Sequence, residues 1–282
     1  MPKTIGNPLS WTMGALGSAA GYATVVATPA REHVPPVTRK LTMADIRMAL
    51  KRGWDDLSAM RSDVVFACML YPLMGAILLG LAAQGSMAHL LFPVLSGFAL
   101  VGPVAGLGLY ELSRRREAGL EVGWSAMLDV LRSSRFPRIV MLALFNGVIF
   151  MAWLLLADAI HAATLGPDRP ASLAAFLNEA VTTPAGWAMI LVGTGVGFLL
   201  AVAVLAVSVV SFPLLLDRDV SLPVAVTTSV RVAWENPGVI AAWGLVVVAG
   251  LVAGILPFLV GLIVVLPVLG HATWHLYRAA VE

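Results

Sequence analysis

The stretch VIAAWGLVVVAGLVAGILPFLVGLIVVLPVLGHATWHLY, residues 239–277, decides the fold of this chain. It holds 39 residues, and none of them is Asp, Glu, Lys or Arg. As one helix it would be about 58 Å long, roughly twice the hydrocarbon core of a bilayer. Gly254 and Pro257 lie at its middle, so the stretch predicts two membrane spans joined by a tight turn.

The rest of the chain follows the same pattern. Hydrophobic residues make up 59% of the 282 residues and charged residues 12%, against about 25% charged in soluble domains. Six segments have about the 20 residues that a bilayer demands. They are 64–83, 90–110, 139–157, 186–212, 238–256 and 258–277. The fourth is long, and Pro213 is expected to end or kink it.

These segments predict an all-α integral membrane protein with six transmembrane helices arranged as three helical hairpins. Residues 41–282 form a single membrane domain in this interpretation. Residues 1–40 are rich in Gly, Pro, Ser and Thr and contain few large apolar groups. We expect them to be a disordered or interfacial tail.

Basic residues divide unequally between the two sides of the predicted membrane. One side holds 17 Lys and Arg residues, and the other holds Arg169 alone. Cytoplasmic loops are enriched in Lys and Arg, so we expect a bacterial inner-membrane protein with both termini in the cytoplasm. Anionic lipid attracts the same basic groups, so membrane lipids are the expected partners and no nucleic acid is implied.

An amphipathic stretch precedes each predicted hairpin. The first, 42–57, places Met43, Ile46, Leu50, Trp54 and Leu57 at helical spacing. The second, 121–134, has Val122, Met127, Leu128 and Leu131 on its apolar side. The third, 221–236, has Val226, Val230 and Trp234, with Ser221 as its cap. We expect three cytoplasmic amphipathic helices that lie along the membrane surface.

The ends of the second and sixth spans carry the same residue types at the same offsets. Pro103, Gly106, Tyr110 and Arg114 correspond to Pro267, Gly270, Trp274 and Arg278. One interpretation is an internal repeat with units of about 42–116, 121–219 and 221–278; the other is that membrane spans share such residues by composition. In either case we expect the aromatic residue to anchor at the headgroups and the arginine to reach water or phosphate.

Small residues indicate close helix packing. Gly102 and Gly106, Gly193 and Gly197, and Gly250 and Gly254 have GxxxG spacing on three predicted spans. We expect these pairs to pack helices within the bundle; dimerisation through one of them is the alternative.

The sequence shows no catalytic constellation. No charged residue lies in the middle of a span, the single cysteine is Cys68, and nucleotide, hydrolase and zinc motifs are absent. Asn146 is the most polar mid-span residue and is expected to hydrogen-bond a neighbouring helix. His271 and His275 are four residues apart on the sixth span and are the weak candidates for a metal site. No cofactor is expected.

Two runs resemble a known family: VPPVTRKLTMADIRMALKRGWDD, residues 34–56, and LPVLGHATWHLYR, residues 266–278. They are similar to a proteobacterial family of predicted integral membrane proteins that is classed as a domain of unknown function, over about residues 34–280. The resemblance implies a membrane fold and no particular activity, so no catalytic residue can be carried over.

Two kinds of function remain open from the sequence. The leading expectation is a non-enzymatic inner-membrane scaffold, accessory or assembly protein for a membrane complex. The alternative is a transporter or permeation path for a small or amphiphilic molecule, because repeated units and proline-broken helices are typical of transporters.

Overall fold

The structure, a computed structural model, describes residues 35–60, 73, 75–77, 80, 87–168 and 170–282. Residues 1–34 of the predicted tail (1–40), most of the first predicted span and Cys68 lie outside the described residues. In the described part of that tail, the Arg39 N–H donates to the Ala280 carbonyl. Within the described residues the fold is helical, and the one β-bridge pairs Thr38 with Val281.

Ten α-helices cover most of the described chain. They are α1 (Met43–Ala59), α2 (Leu91–Ala105), α3 (Leu107–Glu117), α4 (Phe136–Thr164), α5 (Leu173–Thr182), α6 (Pro184–Ser208), α7 (Ser211–Asp217), α8 (Leu222–Glu235), α9 (Pro237–Ile255) and α10 (Leu262–Ala280). Two 3₁₀-helices, Ala88–Leu90 and Trp124–Arg132, complete the set. The predicted amphipathic stretch at 121–134 is therefore a 3₁₀-helix rather than an α-helix.

Three stretches are long and apolar enough to cross a membrane: Phe136–Thr164, Pro184–Asp217 and Pro237–Ile255. They match the third, fourth and fifth predicted spans. Helix α2 has only 15 residues, and the last turns of α10 carry His271, His275 and Arg278. Six spans and the hairpin arrangement therefore stay predictions.

Two long apolar segments are interrupted. Gly106 separates α2 from α3, and Val209 and Val210 separate α6 from α7, which confirms the predicted break near Pro213. Proline has no N–H to donate to the carbonyl four residues earlier. At the break between α6 and α7, Ser229 of α8 bonds the backbone groups: it accepts from the Val210 N–H at 3.1 Å and donates to the Ala206 carbonyl at 2.7 Å.

The predicted turn near Gly254 and Pro257 is confirmed between α9 and α10. Phe258 and Leu259 have positive φ angles of 51° and 68°, a conformation that large residues rarely adopt. A Cβ atom on Gly261 would lie 2.9 Å from the Cα of Gly254. The two backbones are thus in contact, and only glycine permits this approach.

Helix α1 packs lengthwise against α10. The Arg39 N–H donates to the Ala280 carbonyl, whereas Gly53 lies beside Val268 and Ala272, so the two helices run antiparallel. A Cβ on Gly53 would lie 2.7 Å from the Val268 carbonyl oxygen and the Ala272 nitrogen. The buried face of α1 is Ile46, Ala49, Gly53, Asp56 and Leu57.

The predicted apolar stripe of α1 is divided between the bundle and the surface. Ile46 and Leu57 are buried, but Met43 and Trp54 are exposed. The physical reason is that glycine and alanine create the closest helix contact, whereas apolar periodicity weights the large side chains. Whether the helix lies along the membrane surface stays a prediction.

Helix α8 turns its apolar stripe away from the bundle. Ser221 caps it by accepting from the Val224 N–H, as predicted. Its buried face consists of Ala225, Thr228, Ser229 and Val232. Val230 and Trp234 are exposed, Trp234 by 85%.

The glycine pairs pack only in part as predicted. Gly197 contacts Trp153, Gly250 contacts Val265 and Leu269, and Gly254 contacts Leu262, all within the described bundle. A Cβ on Gly102 or Gly193 would meet nothing within 4 Å. Packing within the bundle is confirmed for the first three glycines and not for these two.

Candidate functional site

The two matched endings, residues 103–114 and 267–278, pack against each other. Pro103 lies inside α2 and Pro267 inside α10. Gly270 faces α3 so closely that a Cβ would lie 2.4 Å from a methyl carbon of Leu109. We call the part of the molecule formed by α1, α3, the 124–132 helix, α7, α8 and the last turns of α10 the basic end. The Ala88–Leu90 helix and α5 form the far end.

The aromatic residues of the endings do not anchor at headgroups, contrary to expectation. Tyr110 is only 2% exposed and Trp274 only 1%. Tyr110 lies over Gly106, where a Cβ would come within 2.7 Å of its ring. The Trp274 Nε1–H donates to Glu117 Oε2 at 2.9 Å. A carboxylate of α3 therefore takes the place of the lipid headgroup.

The arginines of the endings also bind carboxylates. Arg114 donates from Nε and Nη2 to the two oxygens of Glu111, each at 2.8 Å. Arg278 donates from Nε to Glu117 at 3.1 Å and reaches Asp217 at 3.5 Å. Arg278 remains partly exposed, and its ion pairs join α3, α7 and α10.

His271 and His275 converge on a carboxylate from α1. The Asp56 side chain accepts from Ser113 Oγ at 2.5 Å and contacts His275 Nε2 at 2.9 Å, both through Oδ2. Its other oxygen accepts from Arg116 at 2.5 Å. Asp56 is 5% exposed. We call Asp56, Ser113, Arg116, His271 and His275 the Asp56 cluster.

Ser113 connects the carboxylate to the second histidine. Its Oγ lies 2.7 Å from His271 Nδ1. Because the hydroxyl donates its single proton to Asp56, His271 Nδ1 carries the proton that Ser113 accepts. His271 is fully buried, and its Nε2 has no hydrogen-bond partner among the described residues.

The environment keeps the Asp56 carboxyl ionised. Burial alone would raise its pKa, but the hydrogen bonds from His275 and Ser113, together with the charges of the two histidines, lower the pKa to about 2. Glu111 behaves alike: burial opposes ionisation, whereas Arg114 and Arg115 lower its pKa. Such fully bonded carboxylates hold helices together.

The geometry of the Asp56 cluster differs from that of a catalytic triad. In a triad the serine hydroxyl gives its proton to a histidine that a carboxylate orients. Here the Ser113 hydroxyl donates to the carboxylate itself, and it is 1% exposed. The described residues contain no group of three His, Cys, Asp or Glu side chains that could hold a metal ion. A metal site at His271 and His275 stays a weak candidate.

Sequence reasoning missed Asp56 and Ser113. One available signal was that Asp56 follows Ile46, Ala49 and Gly53 at helical spacing, which places it on the small-residue face of α1. An acidic residue on a face of small residues is a candidate for a buried ion pair. Ser113 lay one residue before the matched arginine and carried no signal of its own.

Further polar contacts close the basic end. Arg135 donates to the carbonyls of Leu216 and Asp217 at the end of α7. Arg138 forms a buried ion pair with Asp219. The Tyr277 hydroxyl donates to Asp217 at 2.7 Å. The connection after α7 is therefore tied to both α4 and α10.

Two polar groups lie away from the basic end. Asn146 of α4 donates to Ser208 Oγ of α6 at 2.9 Å, which confirms the predicted bond to a neighbouring helix. At the far end the His89 and His161 rings lie 4.6 Å apart, and His89 contacts Asp158 at 2.9 Å. These two histidines thus meet each other and not His271 or His275.

The long apolar helices and the many large apolar side chains that the fold leaves exposed define the class of the molecule: it is an α-helical integral membrane protein. Residues 91–217 match the model of a family described as "Predicted integral membrane protein (DUF2189)". The resemblance inferred from the sequence is thereby confirmed for that segment, although the two runs that suggested it lie outside the match. No curated protein and no solved structure matches the chain.

Proposed function

We propose that this protein is a non-enzymatic inner-membrane scaffold or accessory protein that binds another membrane protein through its basic end. Both termini lie in the cytoplasm in this proposal, because 17 of the 18 Lys and Arg residues fall on one side of the predicted membrane. A reporter fused after Glu282 should therefore be active only in the cytoplasm.

The observation that carries the proposal is the closed state of the Asp56 cluster. Asp56, Ser113 and His271 are buried, and the side chains of the cluster are bonded to one another across α1, α3 and α10. A hydrolytic or transfer enzyme needs a nucleophile or base that substrate can reach. Groups engaged in this way stabilise a fixed arrangement of helices, which is what a binding surface needs.

The outward face of α8 is the surface we assign to binding. Val226, Val230 and Trp234 line a shallow depression of about 390 Å³, with Arg231 and Glu235 beside it. Exposed Trp beside Arg is the composition of energetic centres in protein interfaces. The neighbouring cation and anion fit a partner helix that carries apolar residues with flanking charges of both signs.

Site-specific photocrosslinking tests this assignment. A photoreactive amino acid at Trp234 should give one discrete protein adduct in native membranes. The matched control is Leu191 of α6, which is exposed as well but lies on a helix apolar enough to cross the membrane. Lipid adducts alone at both positions would contradict a protein partner.

The alternative is a permeation path. The helix breaks at Gly106 and at Val209–Val210 favour it, since unwound segments of membrane helices often line ion or substrate sites. Against it, the most polar mid-span group, Asn146, is buried and bonded to Ser208. Solute flux into liposomes that contain the purified protein, above the flux of protein-free liposomes, would favour this alternative.

A further inference from the structure

The α9–α10 hairpin contains an exceptionally long apolar run. No polar side chain occurs from Gly244 to Gly270, a stretch that includes the turn between the helices. In contrast, the connection between α4 and α6 carries Asp168 and Ser172. Turns that emerge into water at the end of a span are normally polar.

The charged residues of α1 mark where water or headgroups reach the hairpin. Gly53 is in contact with Val268 and Ala272 of α10. Its neighbours Lys51, Arg52 and Asp55 are exposed. Exposed charges of both signs are not stable in hydrocarbon. The aqueous boundary at the basic end therefore lies near the level of residues 268–272.

The hairpin extends only a short distance beyond this level. From Leu262 to Val268 there are seven residues, which rise about 10 Å, and from Leu262 to Gly270 nine residues rise about 14 Å. The hydrocarbon core is about 30 Å thick. Tilting the helices would shorten their reach across the membrane further.

Helix α4 shows what a complete crossing requires. Arg138 pairs with Asp219 at the basic end, and Asp158 contacts His89 at the far end. The helix rises about 30 Å over the 20 residue steps from Arg138 to Asp158, the full thickness of the core. Beyond the aqueous boundary, the α10 side of the hairpin covers between about a third and a half of that distance.

The turn is built to remain in an apolar medium. The Leu259 N–H donates to the Ile255 carbonyl at 3.0 Å, and the Val260 N–H donates to the Pro257 carbonyl at 3.1 Å. Non-helical backbone inside a bilayer requires such internal bonds. Phe258 is 94% exposed at the tip, a position that suits contact with acyl chains and not with water.

We propose that α9 and α10 form a re-entrant hairpin whose tip, residues 256–261, lies among the lipid acyl chains near the middle of the bilayer. The hairpin enters and leaves on the side of the basic end, so the fifth and sixth predicted spans do not cross the membrane. Its partner is the acyl region of the leaflet next to the basic end. This inference is independent of which aqueous compartment the basic end faces.

Cysteine labelling in open membranes tests the position of the tip. In a Cys68→Ser background, Phe258→Cys and Asp168→Cys are exposed to a membrane-impermeant maleimide that reaches both membrane faces. Asp168→Cys should label rapidly. Phe258→Cys should label at least about tenfold more slowly, because an apolar medium raises the thiol pKa and each unit removes about nine-tenths of the reactive thiolate. Equal rates would overturn the proposal.

Depth-dependent quenching supplies a second measurement. The fluorescence added by Phe258→Trp is compared in liposomes of phosphatidylcholine brominated near the headgroup or near the methyl end of the chain. Stronger quenching by methyl-end bromines is the expected result. Stronger quenching by headgroup-proximal bromines would place the tip at an interface and overturn the proposal. Full labelling of Phe258→Cys in denaturant confirms that the thiol is intact.

Discussion

The two halves of α10 are held by different kinds of contact. Its last turns bind α1 and α3 through the Asp56 cluster and through Trp274 and Arg278. Its first turns pack against α9 through apolar side chains beside glycines, as at Gly254 with Leu262 and Gly250 with Val265. Polar bonding therefore holds the helices where they meet water, and shape complementarity holds them where they meet lipid.

Among these substitutions, removing the Asp56 carboxylate should lower the free energy of unfolding the most. Asp56→Ala leaves Arg116, His275 and Ser113 without their shared acceptor, and breaking such a buried pair costs about 3 kcal/mol or more. Thermal unfolding in mild detergent measures it. The control Asp55→Ala, on the exposed face of α1, should stay within about 0.5 kcal/mol of the wild type. Equal loss in both variants would contradict a special role for Asp56.

Glycine-to-alanine substitutions on the two helices that contact α10 sharpen the comparison, because each adds one methyl group at a known distance from α10. Gly53→Ala forces a Cβ against two backbone atoms of α10 at 2.7 Å, which should cost about 1–3 kcal/mol. Gly250→Ala meets only side-chain methyls at 3.2 Å, which can shift, so its cost should be smaller. Gly193→Ala meets nothing within 4 Å and serves as the neutral control. A ranking with Gly250→Ala as the worst variant would refute this explanation.

Acid should weaken the basic end selectively. The pKa of Asp56 is about 2 in the folded protein, whereas the ordinary pKa of an aspartate side chain is 3.8. A lowered folded pKa contributes stability above the unfolded pKa, and that stability is lost as the pH falls through the folded pKa. The difference corresponds to about 2 kcal/mol. Unfolding measured from about pH 5 to pH 2 should show this loss in the wild type and a smaller one in Asp56→Asn.

The smallest expected effect concerns the hydrogen bond within the long helices. Asn146→Ala removes the bond to Ser208, and such bonds inside bilayers contribute about 0.6 kcal/mol on average. A double-mutant cycle with Ser208→Ala isolates the pairwise contribution. A coupling energy between Asn146 and Ser208 larger than the cost of Asp56→Ala would contradict the greater role assigned to the polar contacts of the basic end.

Much of the helical layout was accessible from the sequence, because apolar length and proline position act locally. The break near Pro213, the turn after Gly254 and the cap at Ser221 were all predicted. Each depends on a few consecutive residues and on the chemistry of the backbone.

The contacts between helices were less accessible. The burial of Trp274 depends on Glu117, which is 157 positions away in sequence, and the Asp56 cluster joins three separate helices. Periodicity reports which residues share a face of one helix but not which face meets which neighbour. The sequence therefore predicts headgroup anchoring for the aromatic residues of the endings, whereas Tyr110 and Trp274 are both buried in the protein and Trp274 donates to Glu117.

The contact between α1 and α10 has a consequence for biosynthesis. The strand-like pairing of Thr38 with Val281 and the packing of Gly53 on Ala272 join the first described helix to the last. While the ribosome is still making the intervening segments, α1 has no docking site, and its Asp56 must remain hydrated. The cluster can assemble only after the final turns of α10 emerge, so closure of the fold must wait for the last described helix.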